Sequence, residues 1–195
     1  MNKQDNRVRY TKAILRQALM EILLSKHIDK VTVKELCEKA QINRGTFYLH
    51  YNTPNDLLME IETQFFEENM NIFSNYMQEN HGTGILSELF QCILQNQDVC
   101  RVIMGKNGST KFMKKVETTV RSLLVREWHM AFPHYDPADL DYLFDYVFTG
   151  SMELIMNWIN RETALSSADL ALRLDRLCYH CQLAVGEFGS VSSRS

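Results

Sequence analysis

The chain has 195 residues, of which 21 are Lys or Arg and 24 are Asp or Glu, so its net charge is −3. This length accommodates one domain, or a small domain attached to a larger one. Only 3 Pro and 8 Gly interrupt a sequence rich in helix-forming side chains, so the composition predicts an all-α fold without a sheet. The apolar runs are shorter than the ~18 residues of a membrane span, and the N-terminus lacks a secretion signal, so we expect a cytoplasmic protein with no membrane partner.

The charge is divided unevenly along the chain. Residues 1–53 carry ten Lys or Arg against five Asp or Glu, a net +5, whereas residues 54–195 carry eleven against nineteen, a net −8. This asymmetry favours a basic module that meets a polyanion, joined to an acidic module that does not, although chance unevenness of a small surface is the alternative. We therefore divide the chain into residues 1–53, residues 54–188 and a disordered tail, residues 189–195.

The first 40 residues predict two helices. Apolar residues recur at helical spacing between Val8 and Ser25, and basic residues crowd the start of this first helix. Thr32 followed by Glu35 is a capping-box pattern, in which the hydroxyl accepts an amide hydrogen bond and the carboxylate reaches back. A second helix should therefore begin after Thr32, and a short turn should lead from it into a third helix, which makes a helix-turn-helix.

The third helix carries the sequence RGTFYLHY, and its two faces have different characters. At 100° per residue, Phe47 and Tyr51 share one face and should pack against the preceding helices. Leu49 falls on the opposite face, flanked by Tyr48 and His50, where a small bundle offers it no core. A thymine methyl group is a natural partner for such a side chain in the major groove. The alternative is that the segment is an ordinary core helix with aromatic filler.

The start of this helix and of the next one also carry signals. Asn43 and Arg44 can reach base edges or phosphates at the helix N-terminus, where unpaired amides also favour an anion. Thr53, Pro54 and Asp56 then form an N-terminal capping pattern for a fourth helix that runs towards residue 79. This long helix connects the basic module to the acidic one.

Residues 8–60, with cap, turn, third helix and next cap at this spacing, resemble the DNA-binding domain of TetR-family transcriptional regulators. The resemblance implies that Thr32 and Tyr48 contact phosphate and that Arg44, Thr46 and His50 meet bases or backbone. The DNA-contact residues that we predict are Thr32, Asn43, Arg44, Gly45, Thr46, Tyr48, Leu49 and His50. Two positions depart from the family pattern: Gln41 replaces the usual turn glycine and requires a left-handed backbone, and Pro54 replaces a common lysine and its phosphate contact.

After a break at Gly82, helical patterns cover residues 85–96, 97–104, 109–130, 137–160 and 167–188. The last helix has apolar residues on two opposite sides, so one stripe can fill the core of the chain and the other can meet a second copy. The resemblance implies a four-helix dimer interface formed by the last two helices. The dimer-interface residues that we predict are Phe148, Ile155, Leu170, Leu174, Leu177, Cys181 and Phe188, and the opposite stripe of the last helix contains Leu172, Tyr179 and Leu183.

Other kinds of site are less well supported. Cys178 and Cys181 form a single CxxC pair, whereas a structural zinc site needs about four ligands, so we expect neither a metal nor a cofactor. The sequence has no paired catalytic carboxylates, nucleophile elbow or phosphate-binding glycine loop, so an enzyme is not expected. An apolar effector pocket could be lined by Phe65, Phe90, Met104, Phe112, Trp128 and Met152, although these side chains can equally fill a closed core.

Residues 104–109 and the FTGSMELIMNWI stretch are also similar to a branch of TetR-family C-terminal domains that contains both repressors and an activator. These observations predict a transcriptional regulator, a homodimer that represses by binding double-stranded DNA at a pseudo-palindromic operator and is released by a small-molecule effector. The alternative is an activator or adaptor whose C-terminal bundle binds a protein partner.

Overall fold

The computed structural model of the chain describes residues 3–80, 91–105, 107–160 and 164–185. Within these ranges the regular structure is helical and contains no strand, which confirms the predicted all-α fold. The helices are α1 (Lys3–Leu23), α2 (Val33–Ala40), α3 (Arg44–Tyr48), α4 (Pro54–Asn80), α5 (Gln97–Ile103), α6 (Thr110–Ala131), α7 (Pro137–Ile159) and α8 (Ser167–Val185), and a 3-10 helix (Ile28–Lys30) lies between α1 and α2. None of the described helices is long and apolar enough to cross a membrane. The predicted break at Gly82 and the predicted tail, residues 189–195, lie outside the described residues.

The chain forms two packing units. The first contains Met1–Ile72 and Asn96–Phe112, and the second contains Phe73–Gln95 and Met113–Ser195. The first unit is therefore larger than the predicted DNA-binding segment, residues 1–53. It is larger because α5 packs against α1 and because the first part of α4 contributes buried side chains to the same unit.

The core of the first unit forms where the inner faces of α1 to α4 meet. Leu15 and Leu19 of α1, Leu36 of α2, Phe47 of α3 and Leu58 of α4 are all fully buried. Two ion pairs at the surface also connect α1 and the segment after it to α2: Lys39 Nζ lies 2.8 Å from Glu21, and Lys26 Nζ lies 2.6 Å from Glu35. Such exposed pairs contribute little stability, about 0 to 1 kcal/mol each, so apolar burial holds this unit together.

The second unit has its own core, built from α6, α7 and α8. Trp128, Leu140, Leu143 and Phe144 form a buried cluster, against which Phe148 and Cys181 pack with partial exposure. Arg121 ties α6 to α7, because it is hydrogen-bonded to Asp141 and Asp145 and its guanidinium carbon lies 4.3 Å from the ring centroid of Phe144.

The residues of the predicted dimer interface, which stays a prediction, differ in burial within the second unit. Ile155, Leu170 and Leu174 are 1%, 3% and 1% exposed, so these three residues contribute to the core of the chain itself. α7 and α8 pack against each other, which accounts for buried apolar side chains on both helices. Leu177 is 55% exposed, and Phe188 lies outside the described residues. The residues of the opposite stripe, Leu172, Tyr179 and Leu183, are exposed.

The predicted pocket residues are divided between the two units. Phe65, Met104 and Phe112 belong to the first unit, Trp128 and Met152 belong to the second, and Phe90 lies outside the described residues. The ring centroids of Phe65 and Phe112 are 6.3 Å apart, whereas Trp128 is part of the core cluster of the second unit. Among the described residues, no group of His, Cys, Asp and Glu side chains has the arrangement of a metal site.

Candidate nucleic-acid interface

The turn between α2 and α3 is closed by a residue with left-handed backbone. Gln41 has φ 55° and ψ 40°, and it is the one non-glycine residue with positive φ that the described ranges contain. Its amide donates to the Glu38 carbonyl over 3.3 Å, and the Ile42 amide donates to the Cys37 carbonyl over 3.0 Å. The requirement for a left-handed backbone, which the sequence predicts at Gln41, is confirmed, and the turn ends α2 so that the chain can enter α3.

Side-chain caps begin α2 and α3. The Thr32 hydroxyl accepts a 3.2 Å hydrogen bond from the Glu35 amide. The predicted return bond from the Glu35 carboxylate is replaced, because this carboxylate accepts a hydrogen bond from Lys26 instead. Asn43 Oδ1 accepts hydrogen bonds from the Thr46 amide over 2.7 Å and from the Thr46 hydroxyl over 3.0 Å. Asn43 and Thr46 therefore fix the start of α3. The hydrogen bonds between them occupy side-chain groups of two residues that the sequence predicts to contact DNA.

A reciprocal cap of the kind predicted at Thr53 begins α4. The Thr53 hydroxyl accepts a hydrogen bond from the Asp56 amide over 3.2 Å, and Asp56 Oδ2 accepts hydrogen bonds from the amides of Thr53 and Asn52 over 2.9 and 3.0 Å. The hydrogen bond from the Thr53 amide lowers the pKa of Asp56 below its usual range, and burial opposes this shift. Since Asn52 and Thr53 follow Tyr51, this cap fixes how the chain passes from Tyr51 into α4.

The two faces of α3 differ in burial as the sequence predicts. Phe47 is 0% exposed and Tyr51 is 5% exposed, whereas Leu49 is 79% exposed and Tyr48 is 56% exposed. The helix ends at Tyr48, which is earlier than the sequence suggests, but the Leu49 amide still bonds to the Gly45 carbonyl and the Tyr51 amide to the Phe47 carbonyl. The helical geometry therefore continues far enough to keep Leu49 and Tyr51 on opposite sides.

The remaining predicted contact residues differ in exposure. Arg44 and Gly45 are exposed, and His50 is half-buried beside Tyr51, with the two ring centroids 6.3 Å apart. A Cβ atom on Gly45 would lie 3.3 Å from Asn43 Oδ1, so a larger side chain would crowd the cap. Thr32 is exposed at the start of α2. The outer surface of α3 thus offers cationic, hydroxyl and apolar groups on one short helix, which is what readout of base edges and phosphates requires.

A polar network on the inner side of α3 is not predicted by the sequence. The Tyr51 hydroxyl donates to Glu60 Oε1 over 3.1 Å, and Lys12 Nζ donates to Glu60 Oε2 over 2.8 Å. Lys12 Nζ also lies 5.4 Å from the centroid of the Tyr51 ring. The network joins α1, the end of α3 and α4, so it holds the outer face of α3 in one orientation. A Lys, a Tyr and a Glu separated by up to 48 positions leave no local sequence signal.

Comparison with known proteins identifies the family of the chain. A family profile described as a transcriptional regulator C-terminal region matches residues 80–180, which is more than half of the chain. YxbF, an uncharacterised HTH-type transcriptional regulator of Bacillus subtilis strain 168, is 22% identical over 160 residues, which are 79% of this chain and 41% of that protein. The chain therefore spans about two fifths of the length of this curated relative.

Two solved structures have a similar fold. A TetR transcriptional regulator from Streptococcus agalactiae 2603V is 20% identical with a TM-score of 0.60, and the match covers 90% of this chain and 97% of that one. The fatty acid degradation regulator FadR from Bacillus halodurans is 14% identical with a TM-score of 0.66, over 86% of this chain and 93% of that one. At these identities the likeness shows the fold alone, while the family profile shows the relationship. The chain belongs to the TetR family of transcriptional regulators.

Proposed function

We propose that this chain is a repressor that binds a pseudo-palindromic operator as a homodimer, with α3 of each protomer in the major groove. The observation that carries the proposal is Leu49, an apolar side chain that is 79% exposed at the centre of a face flanked by Tyr48 and His50. Leaving such a side chain exposed costs about 1.5 to 3 kcal/mol relative to burying it. Contact with a thymine methyl group would recover part of this free energy.

The residues around Leu49 divide between base and phosphate contacts. Arg44 is exposed at the first position of α3, where a guanidinium can form two hydrogen bonds to a guanine edge. Tyr48, also exposed, carries a hydroxyl at a position suited to a phosphate oxygen, and Thr32 lies exposed at the start of α2. Because caps and the Glu60 network hold this surface before DNA arrives, binding would require little reordering of the protein.

The proposed dimer is supported by exposed apolar residues on α7 and α8 of the second unit. Tyr142 and Tyr146 of α7 are each 72% exposed, and Tyr179 of α8 is 58% exposed. Gly150, in the middle of α7, has nothing within 4 Å of the position where a Cβ would lie. A glycine inside a helix costs about 0.5 to 1 kcal/mol relative to alanine, and its lack of a side chain permits close approach of another helix. Leu172 and Leu183 continue the apolar surface along α8.

Release by an effector would follow from a shift between two arrangements of the dimer. An effector that binds more tightly to the arrangement whose two α3 helices no longer match the operator half-sites would lower the affinity for DNA. The size of the effect is limited by the difference between the affinities of the effector for the two states. Repression is the sign of regulation that is typical of the family.

The proposal is tested by titrating the purified protein with duplexes from the DNA that flanks its own gene and with random duplexes. We expect specific binding that weakens steeply with salt, because neutralised phosphates release counterions. Arg44→Ala should weaken specific binding by about 1 to 3 kcal/mol and relax the preference at one base pair. Arg173→Ala, which removes an exposed arginine from α8, is the matched control and should bind as the wild type does.

Equal affinity of the wild-type protein for flanking and random DNA, with no salt dependence, would contradict the proposed function. Unchanged operator binding by a folded Arg44→Ala protein would instead remove this residue from the contact surface.

A further inference from the structure

Glu62 is the one charged residue that is buried among the described residues. It lies on α4, its exposed fraction is 6%, and its Oε1 atom has no hydrogen-bond partner within the described part of the chain. The Ser109 amide, just before α6, donates a hydrogen bond to the carboxylate and so satisfies part of its needs. An unpaired buried carboxylate oxygen is costly, so its presence in a native protein calls for a specific explanation, and a bound partner is one such explanation.

The side chains one helical turn beyond this carboxylate are aromatic. Phe65 and Phe66 follow Glu62 at helical spacings of three and four residues, so they lie on the same side of α4. Phe112 follows Ser109 by three residues, and its ring centroid lies 6.3 Å from that of Phe65 and 6.5 Å from that of Phe66. A carboxylate can accept a hydrogen bond from a cationic group, and two rings on the same side of α4, with the Phe112 ring near both, can pack against the apolar part of the same ligand.

The two phenylalanines on α4 are only partly buried, which allows them to repack. Phe65 and Phe66 are of intermediate exposure, as is Met104 in the loop that precedes Ser109. A methionine side chain adapts readily to a new neighbour because it is unbranched and polarisable. We propose that Glu62 is the recognition point for a cationic effector, a primary ammonium on an apolar body, which donates its hydrogen bond to Oε1 and packs against Phe65, Phe66 and Phe112.

This site adjoins a loop that is bound to the helix-turn-helix unit. In the loop between α5 and α6, Asn107 Nδ2 donates to the Leu23 carbonyl at the end of α1 over 3.1 Å, and the Ile28 amide donates to the Asn107 carbonyl over 3.3 Å. The loop is also tight, because a Cβ on Gly108 would lie 2.6 Å from the carbonyl oxygens of Val102 and Ile103. An ammonium bound to Oε1 would draw negative charge away from the oxygen that accepts from Ser109, which would weaken that hydrogen bond and so disturb the loop that Asn107 holds against α1.

The experiment compares three six-carbon probes that differ in charge: hexylammonium, hexan-1-ol and hexanoate. At pH 8 hexylammonium should raise the midpoint of thermal unfolding of the full chain with a saturable dose dependence, and the other two should do so much less. Glu62→Gln keeps the shape of the side chain and removes its charge. In this variant the affinity for hexylammonium should fall at least about tenfold, to that for hexan-1-ol, because a charge-assisted hydrogen bond is lost.

Glu67→Gln, which neutralises an exposed acid on the same helix, is the control and should keep the wild-type preference for hexylammonium. Equal stabilisation by hexylammonium and hexan-1-ol, or a preference that survives in Glu62→Gln, would overturn the assignment. Should Glu62→Gln fail to fold, Glu62→Asp retains the charge on a shorter side chain and must still distinguish the two probes, and its failure to do so would equally overturn the assignment.

The role of this site as an effector site rests on the proposed function, but the two can fail separately. Probe binding is measured without DNA, so operator binding by a protein that does not prefer hexylammonium would reject the site alone. A preference that depends on Glu62 in a protein without sequence-specific DNA binding would reject the proposed regulator function and leave the binding site in place.

Discussion

The hydroxyl of Tyr51 lies 3.1 Å from Glu60 Oε1, so the residue that anchors the end of α3 is joined to α4. Burial, and then the neighbouring Glu60 carboxylate, raise the pKa of Tyr51, which keeps the hydroxyl protonated as a donor. Tyr51→Phe should therefore lower the free energy of unfolding by about 0.5 to 1.5 kcal/mol, the usual contribution of one hydrogen bond. Urea denaturation measures this change, and Tyr10→Phe, at a tyrosine that is 69% exposed, should show none. A stability loss of the same size in both variants would contradict a specific role for the bond.

Leu49 gives a prediction that separates DNA contact from folding. Because Leu49 is 79% exposed, Leu49→Ala should leave the free energy of unfolding within about 0.5 kcal/mol of the wild type. Operator affinity should nevertheless fall by about 1 kcal/mol, the value of one lost apolar contact to a thymine methyl group.

A double-mutant cycle identifies the base. Replacing each operator thymine in turn by uracil removes its methyl group. At the thymine that contacts Leu49, this replacement should weaken operator binding by the wild type but not by Leu49→Ala. Strictly additive losses at every thymine would show that Leu49 meets no thymine methyl group, and would contradict the assigned readout.

Gln41 is predicted to be a site where a substitution stabilises the fold. Its φ of 55° is a conformation that costs a residue with a Cβ atom roughly 1 to 2 kcal/mol, while glycine adopts it without that cost. Glycine also makes the unfolded chain more flexible, which offsets part of the gain. Gln41→Gly should therefore raise the free energy of unfolding by about 0.5 to 1 kcal/mol in urea denaturation, whereas Gln41→Val should lower it. A destabilised Gln41→Gly protein would show that the glutamine side chain contributes more than its backbone strain costs.

The first unit was the more predictable part because its signals are local. The caps at Thr32 and Thr53 and the opposite faces of Phe47 and Leu49 are set by residues within one or two turns of each other, and the structure shows each of them. The network that joins Tyr51, Glu60 and Lys12 depends on how three helices meet, so no sequence spacing reveals it.

The two stripes of α8 show a different limit. Both Leu174 and Tyr179 lie on apolar stripes with helical spacing, and the sequence does not distinguish the stripe that faces α7 from the one that faces outward. The structure buries Leu174 to 1% and leaves Tyr179 58% exposed, because the direction from which α7 packs is a tertiary property. The burial of Glu62 has the same origin, since a glutamate on a long polar helix normally predicts exposure.

Glu62 should make the free energy of unfolding decrease as the pH rises. Burial raises the pKa of Glu62 from 4.5 to about 7, and the hydrogen bond from Ser109 opposes part of this shift. Between these two values the folded chain holds a proton that the unfolded chain releases, so the contribution of Glu62 is complete below pH 4.5 and is lost as the pH rises through 7. The loss amounts to roughly 3 kcal/mol over this interval.

The difference between the wild type and Glu62→Gln isolates this effect from other titrating groups. Urea denaturation at pH 5 should give the two proteins similar free energies of unfolding, whereas at pH 8 Glu62→Gln should be more stable by up to about 3 kcal/mol. Glu67→Gln should differ from the wild type by a nearly constant amount over the same range. A difference between the wild type and Glu62→Gln that does not change with pH would show that Glu62 titrates normally.

Two exposed residues of α8, Tyr179 and Leu177, distinguish the proposed dimer face from the stripe that the sequence predicts. Tyr179→Glu places two like charges in a twofold contact and should weaken the dimer more than about a hundredfold in Kd, as measured by sedimentation velocity at micromolar concentrations. Met130→Glu, at an exposed residue of α6 outside this face, should remain dimeric. Leu177→Glu tests the other stripe, because Leu177 is also exposed. If Leu177→Glu yields monomers while Tyr179→Glu remains dimeric, the stripe that contains Leu177 forms the interface, and the face assigned to Tyr179 is rejected.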